Sequence, residues 1–170
     1  MAARTSILDV AVVQMWAARG DVAGNTDRLV RSLRAHCAGA DLVVAPELVT
    51  TGYDLDLIDE RGHALAEPMD GPTVSQVADV AADLEMTVVF GLLERDHDLL
   101  YDTVAVVTPE RKVSSARKSH LYPAERGRFA SGNGLAPIDT PAAGSDPSSA
   151  SSMRSLRSPR PWHSAVRRFW

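Results

Sequence analysis

At 170 residues the chain is long enough for one domain with a real core, and 45% hydrophobic against 24% charged residues is the balance of an ordinary soluble globular protein. From Ala142 onward Arg154, Arg157, Arg160, Arg167 and Arg168 outweigh the single acid Asp146, so this tail is net +4 and residues 1–141 carry −8 of the overall −4. An acidic body excludes nucleic acid as its partner; one cysteine, Cys37, excludes an internal disulfide and fits a reducing cytoplasm; no apolar run is long enough for a membrane span, and the residues from Met1 to Leu8 lack the basic and apolar regions of a signal peptide.

Ile7 to Gln14 reads as a buried first strand, mostly apolar and rich in valine. Gly20 to Asn25 is a turn in which Asp21 or Asn25 can cap the next helix. Leu29, Val30, Leu33 and Cys37 share one face of that helix, Arg28, Arg31 and Arg34 lie outside it, and Gly39 ends it. Asp41 to Ala45 is a short buried strand that delivers Pro46 and Glu47 to its carboxyl end. Pro72 suits the first turn of a second helix, carrying Val74, Val77, Ala78, Ala81 and Leu84 at helical spacing. Met86 to Leu93 and Tyr101 to Thr108 follow as strands, and Val113 to Lys118 can pair back as a fifth after the turn Pro109 to Lys112. Strands alternating with helices predict an α/β layered fold, and the adjacent strands after Met86 argue against a purely parallel sheet.

The composition breaks after Pro141. Residues 142–170 hold eight serines among arginines and prolines, with neither a helix nor a strand period. Such a segment buries too little apolar area to offset its ordering entropy. The chain therefore divides into residues 1–141, part of a domain, and a tail of residues 142–170 that is disordered or out of frame.

Two charged residues end apolar, strand-like runs about seventy positions apart. Glu47 follows four apolar residues and a proline; a carboxylate there, desolvated beside a pocket, has a raised pKa and serves as general base. Its bland alternative is a solvated loop glutamate. Lys118 ends the last strand, where an ammonium can stabilise a developing oxyanion; its bland alternative is a surface lysine beside Arg117. The context decides between these readings. Pro46-Glu47 with Gly52-Tyr53, and Arg117-Lys118 with His120-Leu121, Glu125, Phe129 and Gly132, resemble the glutamate and lysine segments of the nitrilase (carbon–nitrogen hydrolase) superfamily. Gly91 to Glu94 and Tyr101-Asp102-Thr103 with Ala105 resemble the strand pair between them. The resemblance spans about residues 5–141, roughly the first half of such a domain.

The resemblance implies an α/β fold, the four-layer α-β-β-α sandwich of the nitrilase type, incomplete in this chain. It also implies homo-oligomers for the full domain and hydrolysis, without cofactor or metal, of a non-peptide C–N bond in a small amide, nitrile or N-carbamoyl compound. A cysteine thiolate attacks carbon, glutamate moves protons, lysine stabilises charge and water cleaves the thioester. Catalytic roles fall on Glu47 and Lys118, with Glu125 as the additional glutamate that positions substrate and nucleophile, and Phe129 to Gly134 as the loop leading to the nucleophile strand. No cysteine follows Lys118. Cys37 precedes Glu47 and lies on the apolar stripe of the first helix, where core packing is its natural role. His36, His63, His97, His120 and His163 lack metal-ligand spacing.

The tail has two readings: a genuine basic segment that binds an acidic partner, or the product of a reading-frame change. The second is favoured. The run from Pro147 to Ser152, if encoded by GC-rich serine codons, becomes Val-Val-Gly-Val-Val when read two bases along, a credible buried strand where the nucleophile strand belongs. The chain as it stands is then expected to lack covalent catalysis and to expose apolar surface. The alternative is a non-catalytic binding protein or subunit that uses the acidic pocket and the basic tail.

Overall fold

The computed structural model describes residues 8–134 together with 138 and 140, so the Ser/Arg/Pro tail and the start of the chain lie outside the described residues. The sheet has five strands, β1 (Val10–Val12), β2 (Leu42–Val44), β3 (Thr87–Asp96), β4 (Leu99–Val107) and β5 (Val113–Arg117), side by side in chain order. β1, β2 and β3 are parallel, with Val12 beside Val44 and Val44 beside Val89. β3, β4 and β5 are antiparallel, with Gly91 opposite Val104, Leu93 opposite Asp102 and Val104 opposite Ala116. The expectation of a mixed rather than purely parallel sheet holds.

Each parallel connection carries helix because the chain must return across the sheet. The first is α1 (Val22–His36), whose N-cap is Asp21: its carboxylate accepts from the Gly24 N–H at 3.1 Å. Asn25 is not the cap. It is buried inside the helix, where its amide donates to the carbonyls of Ala18 and Thr50 and accepts from the Ala18 N–H, tying the segments that follow β1 and β2. The second crossover holds α2 (Leu55–Leu65) and α3 (Pro72–Asp83). Asp54 caps α2 by accepting from the Leu57 N–H at 2.9 Å. At α3, Gly71 offers no capping side chain, Pro72 occupies the first turn, and the Glu67 carboxylate accepts from the Thr73 N–H instead.

Two elements differ from expectation. Among the described residues the first strand is Val10 to Val12 and does not run on to Gln14, while Ile7, where the expected strand begins, lies outside the described residues. Helix α2 was not anticipated, so the helix begun by Pro72 is the third. Asp56, Asp59, Glu60 and Arg61 dilute the apolar spacing of α2, yet Leu57, Ile58 and Leu65 are buried.

The main core joins Leu29 and Leu33 of α1, Val74, Val77 and Ala81 of α3, and the inward residues Val43, Val88, Phe90, Leu92, Ala105 and Val107 of the sheet. Burying side chains of this size contributes about 1.5–3 kcal/mol each. A second cluster binds α2 to the β3–β4 hairpin through Leu57, Ile58, Leu65, Leu93 and Leu100, with Leu48 and Phe129. The opposite sheet face is partly bare: Val10, Val12 and Val104 are exposed. The described residues thus supply one sheet and the helices α1 and α3 on one of its faces. Among the described residues no helix is long and apolar enough to cross a membrane.

Candidate active site

Glu47 sits just past the carboxyl end of β2, at the kind of sheet edge where open α/β folds place ligands. Its turn is held tightly against β3. The Ala45 N–H donates to Val89, the Gly91 N–H to Pro46, and the Val49 N–H to Gly91. Leu48, the next residue, has φ +43°, a left-handed conformation that L residues seldom adopt, and its side chain is fully buried in the second core cluster. Gly91 makes the close approach possible: a β-carbon there would lie 2.4 Å from the Leu48 nitrogen and 2.5 Å from the Glu47 Cα.

Lys118 follows the last residue of β5, and its backbone N–H still donates to the Asp102 carbonyl of β4 at 2.8 Å. Its Nζ lies 2.8 Å from Glu47 Oε1, 2.7 Å from Glu125 Oε1 and 3.2 Å from Asp102 Oδ2. Glu125, fully buried, also accepts from the Tyr53 hydroxyl at 2.7 Å and, through Oε2, from the Tyr122 N–H at 2.7 Å. The rings of Tyr53 and Tyr122 flank the ammonium at 6.0 and 5.5 Å. The Phe129 to Gly134 loop is anchored beside it, since the Gly132 N–H donates to the Lys118 carbonyl.

The structure therefore brings Glu47 and, from seventy-one residues further on, Lys118 with its near neighbour Glu125 into one hydrogen-bonded cluster. Asp102 joins them and was missed as a site residue. Its sequence signals are a lone carboxylate inside the apolar strand β4 and its place in the Tyr101-Asp102-Thr103 run that resembles the family's strand pair. A cavity of about 250 Å³ opens beside the cluster on the bare sheet face, with Glu47, Asp102 and Lys118 in its wall among Val44, Val89 and Val104. An oxygen from each of Glu47, Asp102 and Glu125 lies within 4.8 Å of the others, but the Lys118 ammonium already sits against all three.

The electrostatics correct one expectation. Burial does push the Glu47 carboxyl up, but its hydrogen bonding with Asp102 and Lys118 outweighs this, and the net shift is downward. Glu125 behaves alike: burial raises it, Lys118, Tyr53 and the Tyr122 N–H lower it, and the lowering wins. Burial alone would lower the Lys118 pKa; Glu125 and Glu47 reverse that and hold it well above an ordinary lysine. Burial and the neighbouring Glu125 carry the Tyr53 hydroxyl up to about 12.

Cys37 is remote from this arrangement in the fold. It caps the carboxyl end of α1, is 5% exposed and packs in the main core, where burial pushes its thiol pKa up.

An α/β sheet with a Glu–Lys–Glu cluster at one edge defines a class, and comparison with known proteins names it. The carbon–nitrogen hydrolase family model matches residues 9–163, past the composition break at Pro141. A nitrilase of Pyrococcus abyssi is 37% identical over 95 residues, 56% of this chain and 36% of its own. An (R)-stereoselective amidase of a Pseudomonas species is 32% identical over 127 residues, 74% of this chain and 45% of its own. The crystal structure of a CN-hydrolase superfamily protein from Xanthomonas campestris, with an arsenic adduct in its active site, superposes at TM-score 0.68 with 28% identity, covering 78% of this chain and 49% of that one. The chain belongs to the carbon–nitrogen hydrolase (nitrilase) superfamily. It spans about a third to a half of the length of these curated relatives.

Proposed function

We propose that this chain carries the proton-transfer and oxyanion-stabilising groups of a carbon–nitrogen hydrolase acting on a small amide, nitrile or N-carbamoyl compound, and that it does not turn over by itself. The observation that carries this reading is the single ammonium of Lys118 held at 2.8 and 2.7 Å by Glu47 and Glu125. Glu47, half exposed beside the cavity and kept anionic, is the base that takes the proton of a nucleophile and returns it to the leaving nitrogen. Lys118, fixed in its charged form, meets the oxyanion or the developing nitrogen anion. Glu125, buried, orients Lys118 and stays ionised. The apolar walls of the cavity suit a short aliphatic acyl group.

The covalent step needs a thiol that attacks the substrate carbon, and Cys37, buried in the core, does not supply it. That thiol belongs to sequence read in another frame beyond Pro141, with the full domain homo-oligomeric and acting in a reducing cytoplasm. The test is ammonia release from a panel of short amides and nitriles by the full chain. No turnover above background is expected. Steady turnover lost in Glu47→Gln would overturn the need for a missing thiol.

The exposed Val10, Val12 and Val104 favour a second reading, a subunit whose bare sheet face is covered by another polypeptide. Co-purification of this chain with a longer homologue, abolished by Val12→Lys, would support it.

A further inference from the structure

We propose that Asp102 is a positioning residue of this site, keeping its proton through the acidic range up to neutrality and donating it in a hydrogen bond to Glu47. This rests on the reading of Glu47 as the base. Asp102 is 4% exposed and stands in the middle of β4. Its buried Oδ2 makes no well-aligned hydrogen bond, and its contact with Lys118 Nζ, at 3.2 Å, is longer than those of Glu47 and Glu125 at 2.8 and 2.7 Å. Three carboxylates thus surround one ammonium, each with an oxygen within 4.8 Å of the others. With all three ionised the cluster would carry two uncompensated negative charges, one of them on a buried group. Like charges this close cannot all remain ionised in a poorly solvated site.

The proton settles on Asp102 for a geometric reason. Glu125 is satisfied by Lys118, the Tyr53 hydroxyl and the Tyr122 N–H. Glu47 is half exposed and has the Lys118 ammonium at 2.8 Å. Asp102 is 4% exposed and its contact with the ammonium, 3.2 Å, is the longest of the three. The charged and titratable groups facing it are Glu47 from the turn after β2, Lys118 from the end of β5, and Glu125 and Tyr53 from the loops beyond. Arg117, Glu94 and Tyr101 belong to the other face of the sheet by strand alternation, where Arg117 pairs with Glu94 and lies over the Tyr101 ring. Burial first, then Glu47, carries the Asp102 carboxyl up to about 7. A protonated Asp102 donates to Glu47 and keeps it anionic and fixed; as pH rises, Asp102 loses its proton to solvent and the pair becomes repulsive.

The experiment follows the aspartyl side-chain carboxyl carbons of the full chain, labelled with ¹³C-aspartate, from about pH 4 to about pH 9. It reads protonation and needs no turnover, so its failure is distinct from failure of the hydrolase reading. One aspartyl carboxyl is expected to titrate near 7. That titration should be absent in Asp102→Asn and should move to lower pH in Glu47→Gln. If every aspartyl carboxyl titrates below about pH 5, the proposal is overturned. A near-neutral titration that persists in Asp102→Asn overturns it as well. If Asp102→Asn does not fold, Glu47→Gln decides: a fall in the midpoint supports the proposal and an unmoved midpoint refutes it.

Discussion

Gly91→Ala isolates the contact that seats Glu47. Gly91 does not have a positive φ, so its only special property is the missing side chain. An added β-carbon would meet the Leu48 nitrogen at 2.4 Å, the Glu47 Cα at 2.5 Å and the Glu47 carbonyl carbon at 2.7 Å. Ordinary contacts between such atoms are about 3.5–4.0 Å, so the turn must retreat by about 1 Å. All three atoms are backbone, so no rotamer change relieves the clash. Retreat also strains the bonds from Gly91 N–H to Pro46 and from Val49 N–H to Gly91, at 3.0 and 3.2 Å. Overpacking of this kind costs about 1–3 kcal/mol and each of the two weakened hydrogen bonds about 1 kcal/mol, for a loss of roughly 3–5 kcal/mol. The same shift takes Glu47 out of reach of Lys118. Urea denaturation followed by far-ultraviolet circular dichroism measures the loss. Gly39→Ala is the control, because its β-carbon meets nothing within 4 Å and only its φ of +89° is penalised, at about 1 kcal/mol. The reasoning fails if Gly91→Ala costs no more than Gly39→Ala and the Glu47–Lys118 pair survives.

Lys118→Met leaves Glu125 buried without its cation and should cost about 3–5 kcal/mol near neutral pH, with little of that from half-exposed Glu47. Glu125 and Glu47 are held below their ordinary values in the folded protein, so the stabilisation that Lys118 supports is present above about pH 4.3 and is lost as pH falls through their lowered values. The gap between wild type and variant in urea should therefore narrow in acid; a gap independent of pH contradicts the ion cluster. Glu125→Gln should cost about 1–3 kcal/mol and let the Tyr53 hydroxyl, carried to about 12 by burial and then by Glu125, fall part of the way back; ultraviolet titration of the tyrosines reads this. Cys37, 5% exposed, should react with a thiol reagent only as fast as the chain opens, and labelling at the rate of a free thiol would remove it from the core.

How far the sequence carried the fold depends on burial pattern. β3 and β4 were legible because both run to nine or ten largely apolar residues, and α1 because Leu29 and Leu33 recur on one face beside a cap. β1 was overdrawn because apolar residues after Val12 belong to a segment that leaves the sheet, and apolarity alone does not mark where pairing stops. Helix α2 was hidden by four charged residues among its buried leucines, although Asp54 was a usable cap signal. Glu47, Lys118 and Glu125 could be singled out because each lies in a recognisable segment. The downward shift of Glu47 could not, since it depends on Asp102 and on Lys118, which arrives from seventy-one residues away. Asp102 was named in the resembling strand pair, but its place in the site could not be read for the same reason: only the pairing of β4 with β3 and β5 turns it toward Glu47 and Lys118.

The most direct measurement is ammonia release from a short amide by the chain re-expressed in the alternative reading frame beyond Pro141. Turnover that requires a cysteine in that new segment, and that falls by about 10²–10⁴ in Glu47→Gln, is the predicted result. A frame that encodes no cysteine after Lys118, or turnover indifferent to both Glu47→Gln and Lys118→Ala, would contradict the assignment of this cluster to a cysteine hydrolase.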